Sequence, residues 1–183
     1  MFKLVRLFSL ILGLYLVVIT VEGLTATKFE NLRLRQYSGT SEITTEVRER
    51  QLDCLAMNIY QEAGWEPFEG KVAVAQVTLN RTQNPNFPKD VCGVVSQKTV
   101  VMEKVICQFS WMCDRAAKSQ PVNKVAYNES MEVAKKVLLE GFRLDSMQNA
   151  MYYHADYIHP QWHLQRIAKI GNHIFYSNKH TKG

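Results

Sequence analysis

Several sequence patterns that would assign a function directly are missing from this chain of 183 residues. It has neither an H-E-x-x-H motif nor a C-x2-C pair, so two common zinc-binding patterns are absent. Its lysine and arginine residues are scattered and form neither a basic stripe nor a recognised nucleic-acid-binding motif. We therefore do not expect nucleic acid as a partner, although the net charge of +5 suits a different anionic polymer or surface.

A long run without charged residues lies at the N-terminus. Residues 7–21 read LFSLILGLYLVVITV and follow Lys3 and Arg6, an order of basic and then apolar residues that is typical of an export signal. The run is shorter than the ~20 residues that span a bilayer comfortably, although residues 4–22 are long enough for a tilted anchor in the inner membrane. We expect residues 1–24 to be a signal peptide or membrane anchor, which places the protein in the periplasm or cell envelope.

Composition divides the rest of the chain into a linker and one domain. Residues 25–46 are polar and lack sustained periodicity, which is typical of a linker. The whole chain is 46% hydrophobic and 21% charged, so the remaining stretch, 47–183, has enough apolar residues for a compact domain with its own core.

Four cysteines fit a chain that is exported to an oxidising compartment: Cys54, Cys92, Cys107 and Cys113. They allow two disulfides in three alternative pairings, which the sequence does not distinguish. Cys107 and Cys113 would close a small loop. Cys54 lies in an apolar helical pattern and is equally consistent with a free thiol in the core.

Hydrophobic periodicity predicts that helices come first along the domain. Residues 46–63 place apolar side chains at the i, i+3, i+4 and i+7 positions of one helix face. Gly64 ends this pattern, and Pro67 suits the first turn of a second helix, which extends to about Arg81 and is apolar on most sides. The second helix is therefore expected to be central, followed by a short helix over residues 91–97.

The second half of the domain combines one more helix with strands. Asn128 as N-cap and Gly141 at the end delimit the helix, whereas residues 150–154 and 167–177 are rich in aromatic and β-branched side chains. Gly171 and Asn172 would turn the last segment into a hairpin. Residues 99–106 are consistent with either a strand or a lid. The predicted fold class is α+β, mainly helical, with a small antiparallel sheet near the C-terminus.

Glu62 is the candidate catalytic residue that the pattern itself suggests. It follows Ile59 by three residues, so its side chain lies near the edge of the buried face of the first helix, close to the break at Gly64. Partial burial raises the pKa of a carboxyl group and keeps a proton available near neutral pH, which is what a general acid requires. The simpler alternative is a solvated charge at a helix end.

Motifs in a fixed order then carry a family resemblance over about residues 52–176. They are IYQEA at 59–63, EPFEGKVAVA at 66–75, LNR at 79–81, FP at 87–88, VCGVV at 91–95, QFSW at 108–111, MYYH at 151–154, PQW at 160–162 and IGNHIFY at 170–176. Together they resemble the SleB-like family of spore cortex-lytic and cell-wall hydrolases. Because members occur in spore formers, other bacteria and phages, the resemblance does not distinguish germination, wall remodelling and phage lysis by an endolysin.

The resemblance implies a lysozyme-like or lytic-transglycosylase-like domain that acts on the glycan strands of peptidoglycan without a cofactor. Glu62 matches the family's acid, which would protonate the bond between N-acetylmuramic acid and N-acetylglucosamine and then, as a base, help form a 1,6-anhydro product. Ordinary glycosidases use a second carboxylate ~5–9 Å away. Glu66 and Glu69 are candidates for such assistance, although a charge favoured by the helix dipole explains both more simply. Asp114 is a weaker candidate.

The sugar groove is expected to be lined by amide, hydroxyl and aromatic side chains, which bind the substituents and the apolar faces of sugar rings. The candidates are Trp65, Gln108, Ser110, Trp111, Tyr152 and Tyr153. The aromatic members are also consistent with core packing, which is what we expect of Phe109; Asn80 and Arg81 are expected to be structural. In contrast to many family members, which have Arg-Gly after the Glu-Ala pair, this chain has Gly64-Trp65, and its segment 98–106 is longer than usual.

Three alternatives remain open at this level. The first is a hydrolytic muramidase that uses the same groove. The second is a zinc amidase or peptidase built on His154, Asp156, His159 and His163, although Pro160 disfavours a helix at the i,i+4 pair of histidines and we expect no metal. The third is a wall-binding protein that has the fold without catalysis.

Overall fold

The computed structural model describes residues 44–178. The predicted signal or anchor segment, and the linker up to residue 43, lie outside the described residues. Between residues 44 and 178, no helix is both long enough and apolar enough to cross a membrane.

Five α-helices and two short 3₁₀ helices occur within the described residues. The α-helices are α1 (Thr45–Ala63), α2 (Phe68–Gln83), α3 (Val91–Ser96), α4 (Arg115–Ser119) and α5 (Lys124–Leu138). The 3₁₀ helices are Ser110–Met112 and Asp145–Met147. As predicted, α2 is central: every residue from Gly70 to Leu79 is buried. One face of α2 packs with α1, α3 and α5 in the main core, and another face packs against the C-terminal sheet.

The C-terminal sheet has three antiparallel strands, and the last strand along the chain lies between the other two. The strands are β3 (Tyr152–Ala155), β4 (Gln165–Ile170) and β5 (His173–Ser177). Along β5 alternate residues are buried, so Phe175 packs against Val74 and Val77 of α2 while its neighbours face outward. The hairpin turn at Gly171 and Asn172 was predicted, and the register in which Ile170 pairs with His173 confirms it.

A second hairpin lies apart from this sheet. It joins β1 (Lys98–Val101) to β2 (Lys104–Cys107) through Met102 and Glu103, both in the left-handed region with φ of 47° and 66°. The segment left open as a strand or a lid is therefore a β-hairpin. All four cysteines are paired, as Cys54–Cys92 and Cys107–Cys113.

The predicted N-cap at Asn128 is wrong. Helix α5 begins five residues earlier, where the side chain of Asn123 accepts hydrogen bonds from the backbone N–H groups of Val125 and Ala126. The apolar face already starts at the buried Ala126, so the first turn packs against the core and Asn128 lies inside the helix. At the other end the helix stops at Leu138.

Candidate active site

Glu62 lies in the last turn of α1, where the chain breaks before α2. Gly64 makes this break possible, because a Cβ atom at that position would overlap the carbonyl oxygen of Tyr60. The backbone N–H of Glu66 donates to the Ala63 carbonyl at 3.0 Å and closes the turn. The Glu62 side chain is partly buried at the resulting corner.

Tyr153 is the hydrogen-bond partner of Glu62. Its hydroxyl group donates to Glu62 Oε2 at 3.1 Å, across 91 residues of sequence. Tyr153 is on β3, and its ring packs at 5.5 Å from Phe175 and at 5.3 Å from His173. Burial raises the pKa of Tyr153 well above its ordinary value, and the neighbouring Glu62 raises it further. The phenol therefore stays neutral and keeps the proton that it donates to Glu62.

Arg81 places a buried cation near this pair. Its Nε donates to the Met151 carbonyl at 2.8 Å, and its guanidinium carbon lies 5.3–6.0 Å from the ring centroids of Phe87, Phe109 and Tyr152. The Nη1 group has no hydrogen-bond partner within the described residues. Burial lowers the pKa of Arg81, whereas Tyr153, Tyr152 and Glu62 oppose this effect. We expected Arg81 to be structural, but its charge also acts on Glu62.

The pKa of Glu62 is raised above its ordinary value, chiefly because burial penalises the charged carboxylate. The hydrogen bond from Tyr153 and the positive charge of Arg81 both oppose this shift. The site therefore favours a carboxyl group that holds a proton at higher pH than usual, while two neighbours stabilise the anion that remains after the proton has left. This is the combination that one residue needs to act first as an acid and then as a base.

Trp111 lies on the same side of α1 as Glu62 and is held there by a pair of buried polar residues. Its indole Nε1 donates to Asn58 Oδ1 at 3.1 Å, and Asn58 Nδ2 donates to Thr78 Oγ1 at 3.2 Å. Asn58 precedes Glu62 by four residues, so both side chains project from one face of the helix. We missed Asn58 in the sequence. A polar residue next to the buried stripe of α1 is the signal that could have identified it.

Glu66, a candidate for assistance, has a different set of contacts. It accepts hydrogen bonds from the backbone N–H and the side-chain amide of Asn172 at 3.1 and 2.9 Å, and His173 Nδ1 lies 3.9 Å away. Its side chain is only 8% exposed. Gly171 is required here, with φ of 57° and with no room for a Cβ atom beside the Glu66 carboxylate. Glu66 thus fastens the β4–β5 turn to the junction between α1 and α2.

Neither Glu69 nor Asp114 is drawn into this cluster. Glu69 is exposed in the first turn of α2, as the helix-dipole interpretation predicted. Asp114 caps α4, because its side chain accepts a hydrogen bond from the backbone N–H of Ala116 at 2.8 Å.

The predicted groove residues occupy several places. Tyr153 and Trp111 lie on the Glu62 side of α1, and Tyr152 contacts Arg81 and packs edge-on against Trp162 at 6.3 Å. Gln108 and Ser110 are exposed on either side of Phe109, which is buried in the core as predicted.

Trp65 follows the end of α1 and is 82% exposed. It lines a pocket of about 330 Å³ that also includes Gly64, Lys71, Asn123 and Glu129, but not Glu62. Glu66 also lines this pocket, which therefore opens at the junction between α1 and α2.

The four residues of the zinc alternative have surroundings unlike those of a metal site. His154 Nε2 is 2.9 Å from the Tyr176 hydroxyl, and Asp156 forms an ion pair with Lys169 at 2.8 Å. His159 and His163 are exposed. Across residues 44–178, no group of three or more His, Cys, Asp or Glu side chains is arranged to hold a metal ion. The zinc alternative thus finds no ligand set in this part of the chain.

Comparison with known proteins gives concordant matches. Residues 65–176 match the model of the family described as Cell Wall Hydrolase, a stretch that begins three residues after Glu62. The chain is 35% identical over 128 residues to the spore cortex-lytic enzyme of Bacillus subtilis (strain 168), covering 66% of this chain and 35% of that protein. It is 32% identical over 131 residues to a spore cortex-lytic enzyme of Bacillus cereus, covering 69% and 44%. The chain therefore spans less than half the length of these curated relatives.

Two solved structures share the fold. One is the catalytic domain of the germination-specific lytic transglycosylase SleB from Bacillus anthracis, with a TM-score of 0.52, 28% identity and coverage of 69% of this chain and 93% of that one. The other is the catalytic domain of the Bacillus cereus SleB protein, with a TM-score of 0.51, 28% identity and coverage of 70% and 91%. The predicted fold class, a mainly helical, lysozyme-like α+β domain, is confirmed.

Proposed function

The chain belongs to the cell wall hydrolase family, and we propose that it cleaves the glycosidic bond between N-acetylmuramic acid and N-acetylglucosamine in peptidoglycan, as a lytic transglycosylase with Glu62 as the only catalytic acid and base. The observation that carries this proposal is the surroundings of Glu62. A partly buried carboxyl group with a raised pKa accepts a hydrogen bond from Tyr153 and lies within electrostatic range of Arg81.

In the first step, protonated Glu62 donates its proton to the glycosidic oxygen while the bond from that oxygen to the anomeric carbon breaks. The electron pair of the bond leaves with the departing sugar, and positive charge develops on the muramic acid ring. The N-acetyl group of the substrate stabilises this charge. Glu62 becomes a carboxylate, which Tyr153 and Arg81 stabilise.

In the second step, the Glu62 carboxylate removes the proton from the C6 hydroxyl of the same sugar. The C6 oxygen then bonds to the anomeric carbon and gives a 1,6-anhydro product, so no water molecule is consumed and Glu62 is protonated again. A hydrolytic muramidase would instead direct water to the anomeric carbon. The contacts of Glu66 with Asn172 favour the single-carboxylate route, because both oxygens of Glu66 already accept hydrogen bonds.

Aromatic side chains near Glu62 are suited to hold the glycan. We assign Trp111 and Tyr152 to sugar stacking, with Gln108 and Ser110 as hydrogen-bonding groups on the same wall. Trp65 would contact the strand beyond the end of α1. Residues 1–24 would export the domain or tether it to the inner membrane, so that it meets its substrate in the periplasm or cell envelope.

The test is digestion of purified peptidoglycan by the full chain and by Glu62→Gln, with the soluble products analysed by mass spectrometry. Glu132→Gln, which replaces an exposed carboxylate on α5, is the matched control. Anhydro-muropeptides from the wild type and the control, with none from Glu62→Gln, would support the proposal. Reducing ends would indicate a hydrolytic muramidase, free peptides an amidase, and binding without release a wall-binding protein; each of these results would overturn it.

A further inference from the structure

The hairpin formed by β1 and β2 exposes apolar side chains on both of its faces. Val100 pairs with Val105 on one face, and Val101 and Ile106 project from the other. At the tip, Met102 is 92% exposed, and each of the four other side chains is at least 46% exposed. Large apolar side chains exposed together on one short segment point to an interaction site in a folded domain.

The base of the hairpin is held in place, so its shape does not depend on the apolar faces. The Cys107–Cys113 disulfide connects the end of β2 to the residue that follows the 3₁₀ helix. The backbone N–H of Gln108 donates to the Gln97 carbonyl at 2.9 Å across the base. A two-stranded hairpin is marginal in water by itself, and these links compensate for the core that it lacks. The apolar tip is thereby presented on a fixed support.

The arrangement fits a lipid surface better than a glycan strand or another protein. A protein partner covers one face of a hairpin, whereas the interfacial region of a bilayer surrounds both. Sugar rings are bound by aromatic side chains, and residues 98–107 contain no Phe, Tyr or Trp. Aliphatic side chains, in contrast, gain free energy in hydrocarbon without any directional partner.

Charge and backbone geometry further limit the kind of lipid contact. Lys98 and Lys104 lie on the strands, and Glu103 is the only acidic residue of the hairpin, so the segment carries a net positive charge. Lysine stems can cover apolar surface while their ammonium groups stay among anionic headgroups. The outer edge of each strand has no strand partner within the described residues, and such backbone groups are costly in hydrocarbon. The hairpin is therefore suited to the interface and not to the bilayer centre.

We propose that residues 98–107 form a lipid-binding hairpin that inserts its apolar tip into the interfacial region of an anionic bilayer. This contact goes beyond peptidoglycan cleavage, which requires no lipid. It would hold the domain at the membrane side of the wall. The expected anchor in residues 4–22 also points to a membrane, but the proposal rests on the hairpin alone.

The test measures lipid contact at Met102 itself, because residues 4–22 are also expected to bind lipid. The full chain, labelled with ¹³C at its methionine methyl groups, is mixed with bicelles that contain phosphatidylglycerol and a lipid carrying a paramagnetic doxyl group. The Met102 signal is assigned with Met102→Leu. We expect it to lose at least two thirds of its intensity relative to bicelles without the doxyl group, whereas Met147, which is fully buried in the core, keeps its signal.

Substitutions make the result specific to the hairpin. Val100→Ser together with Val101→Ser removes one apolar side chain from each face and should reduce the loss at Met102 at least threefold. Ile158→Ser, an exposed apolar residue outside the hairpin, should leave the loss unchanged. An undiminished Met102 signal in bicelles would overturn the proposal. Burial of Met102 by self-association in the absence of lipid would also overturn it, because the hairpin would then bind a second copy of the chain. Slower cleavage of peptidoglycan by the double variant in lipid-free buffer would overturn it as well, because the hairpin would then bind the glycan.

Discussion

Glu62 lies in the last turn of α1 and Glu66 lies four residues later, in the junction between α1 and α2, yet their surroundings differ. Glu62 accepts a hydrogen bond from the Tyr153 hydroxyl, and burial raises its pKa. Glu66 accepts hydrogen bonds from both donors of Asn172 and lies against His173. Gly64 ends the helical register between the two residues, and their side chains reach different parts of the C-terminal sheet, β3 for Glu62 and the β4–β5 turn for Glu66.

The difference shows how one fold uses two similar residues for different purposes. A carboxylate whose two oxygens already accept hydrogen bonds resists rearrangement and holds two parts of the structure together. A partly desolvated carboxyl group with one neutral donor can exchange its proton with a substrate. His173 and Tyr153 connect the two, because their rings pack edge-on at 5.3 Å. Glu66 therefore supports the strand pair that positions Tyr153 against Glu62.

The largest expected effect separates the two glutamates by activity. Glu62→Gln should lower the turnover of peptidoglycan about 100- to 10,000-fold, the range associated with loss of a general acid. Glu66→Gln should keep activity per folded molecule within about tenfold of the wild type, since its role is structural. The measurement is release of soluble muropeptides, normalised to the folded fraction from circular dichroism.

Equal losses of turnover in Glu62→Gln and Glu66→Gln, with both variants fully folded, would contradict this difference between the two glutamates. Glu66 would then be a second catalytic carboxylate, as in an ordinary glycosidase. Glu69→Gln extends the series, and we expect near wild-type turnover because Glu69 is exposed in the first turn of α2.

The next effect concerns stability and tests the contact between Glu66 and the β4–β5 turn by a substitution in the turn. Gly171→Ala should destabilise the domain by about 2–4 kcal/mol, because alanine is strained at a φ of 57° and its Cβ atom would overlap the Glu66 carboxylate. Gly141→Ala is the matched control: its φ is 74°, but nothing lies within 4 Å of the added Cβ, so about 1 kcal/mol is expected. Chemical denaturation measures both, and similar losses would show that the Glu66 contact adds little.

Much of the fold could be predicted because local patterns carry it. The apolar stripe of α1, the break at Gly64 and the hairpin turn at Gly171 each depend on residues close together in sequence. The N-cap of α5 was misplaced because Asn123 and Asn128 are both good capping residues, and the packing of Ala126 against the core decides between them.

Less of the candidate site could be predicted, since its parts are distant in sequence. Glu62 could be identified as a candidate from its position on the helix and from the family resemblance. Its hydrogen bond with Tyr153 spans 91 residues, and no pattern within α2 indicates that the charge of Arg81 reaches it. The Asn172 contacts of Glu66 likewise depend on how the sheet docks, so its fastening role was not foreseen.

A smaller effect concerns the pH dependence of cleavage. Tyr153→Phe removes the hydrogen bond that lowers the pKa of Glu62, so that pKa should rise and the alkaline limb of the kcat/KM profile should move to higher pH. We expect about a tenfold loss of kcat, because the Glu62 carboxylate also loses its donor before the second step. Tyr152→Phe is the control and should not move the limb. A fall in kcat with no shift of the limb would mean that Tyr153 only supports packing.

The smallest effect concerns the pH dependence of stability, and its sign follows from the same pKa. A carboxyl group whose pKa is raised by folding contributes stability that is fully present below its unfolded pKa and is lost as the pH rises through its folded pKa. As the pH increases from the unfolded to the folded pKa of Glu62, the free energy of unfolding of the wild type should therefore fall relative to that of Glu62→Gln. The difference between the wild type and Glu132→Gln should stay constant over the same range. Urea denaturation from pH 4 to pH 8 measures the difference. A difference that stays constant with pH would mean that Glu62 is not held as an acid by burial, and its contrast with Glu66 would then rest on hydrogen bonding alone.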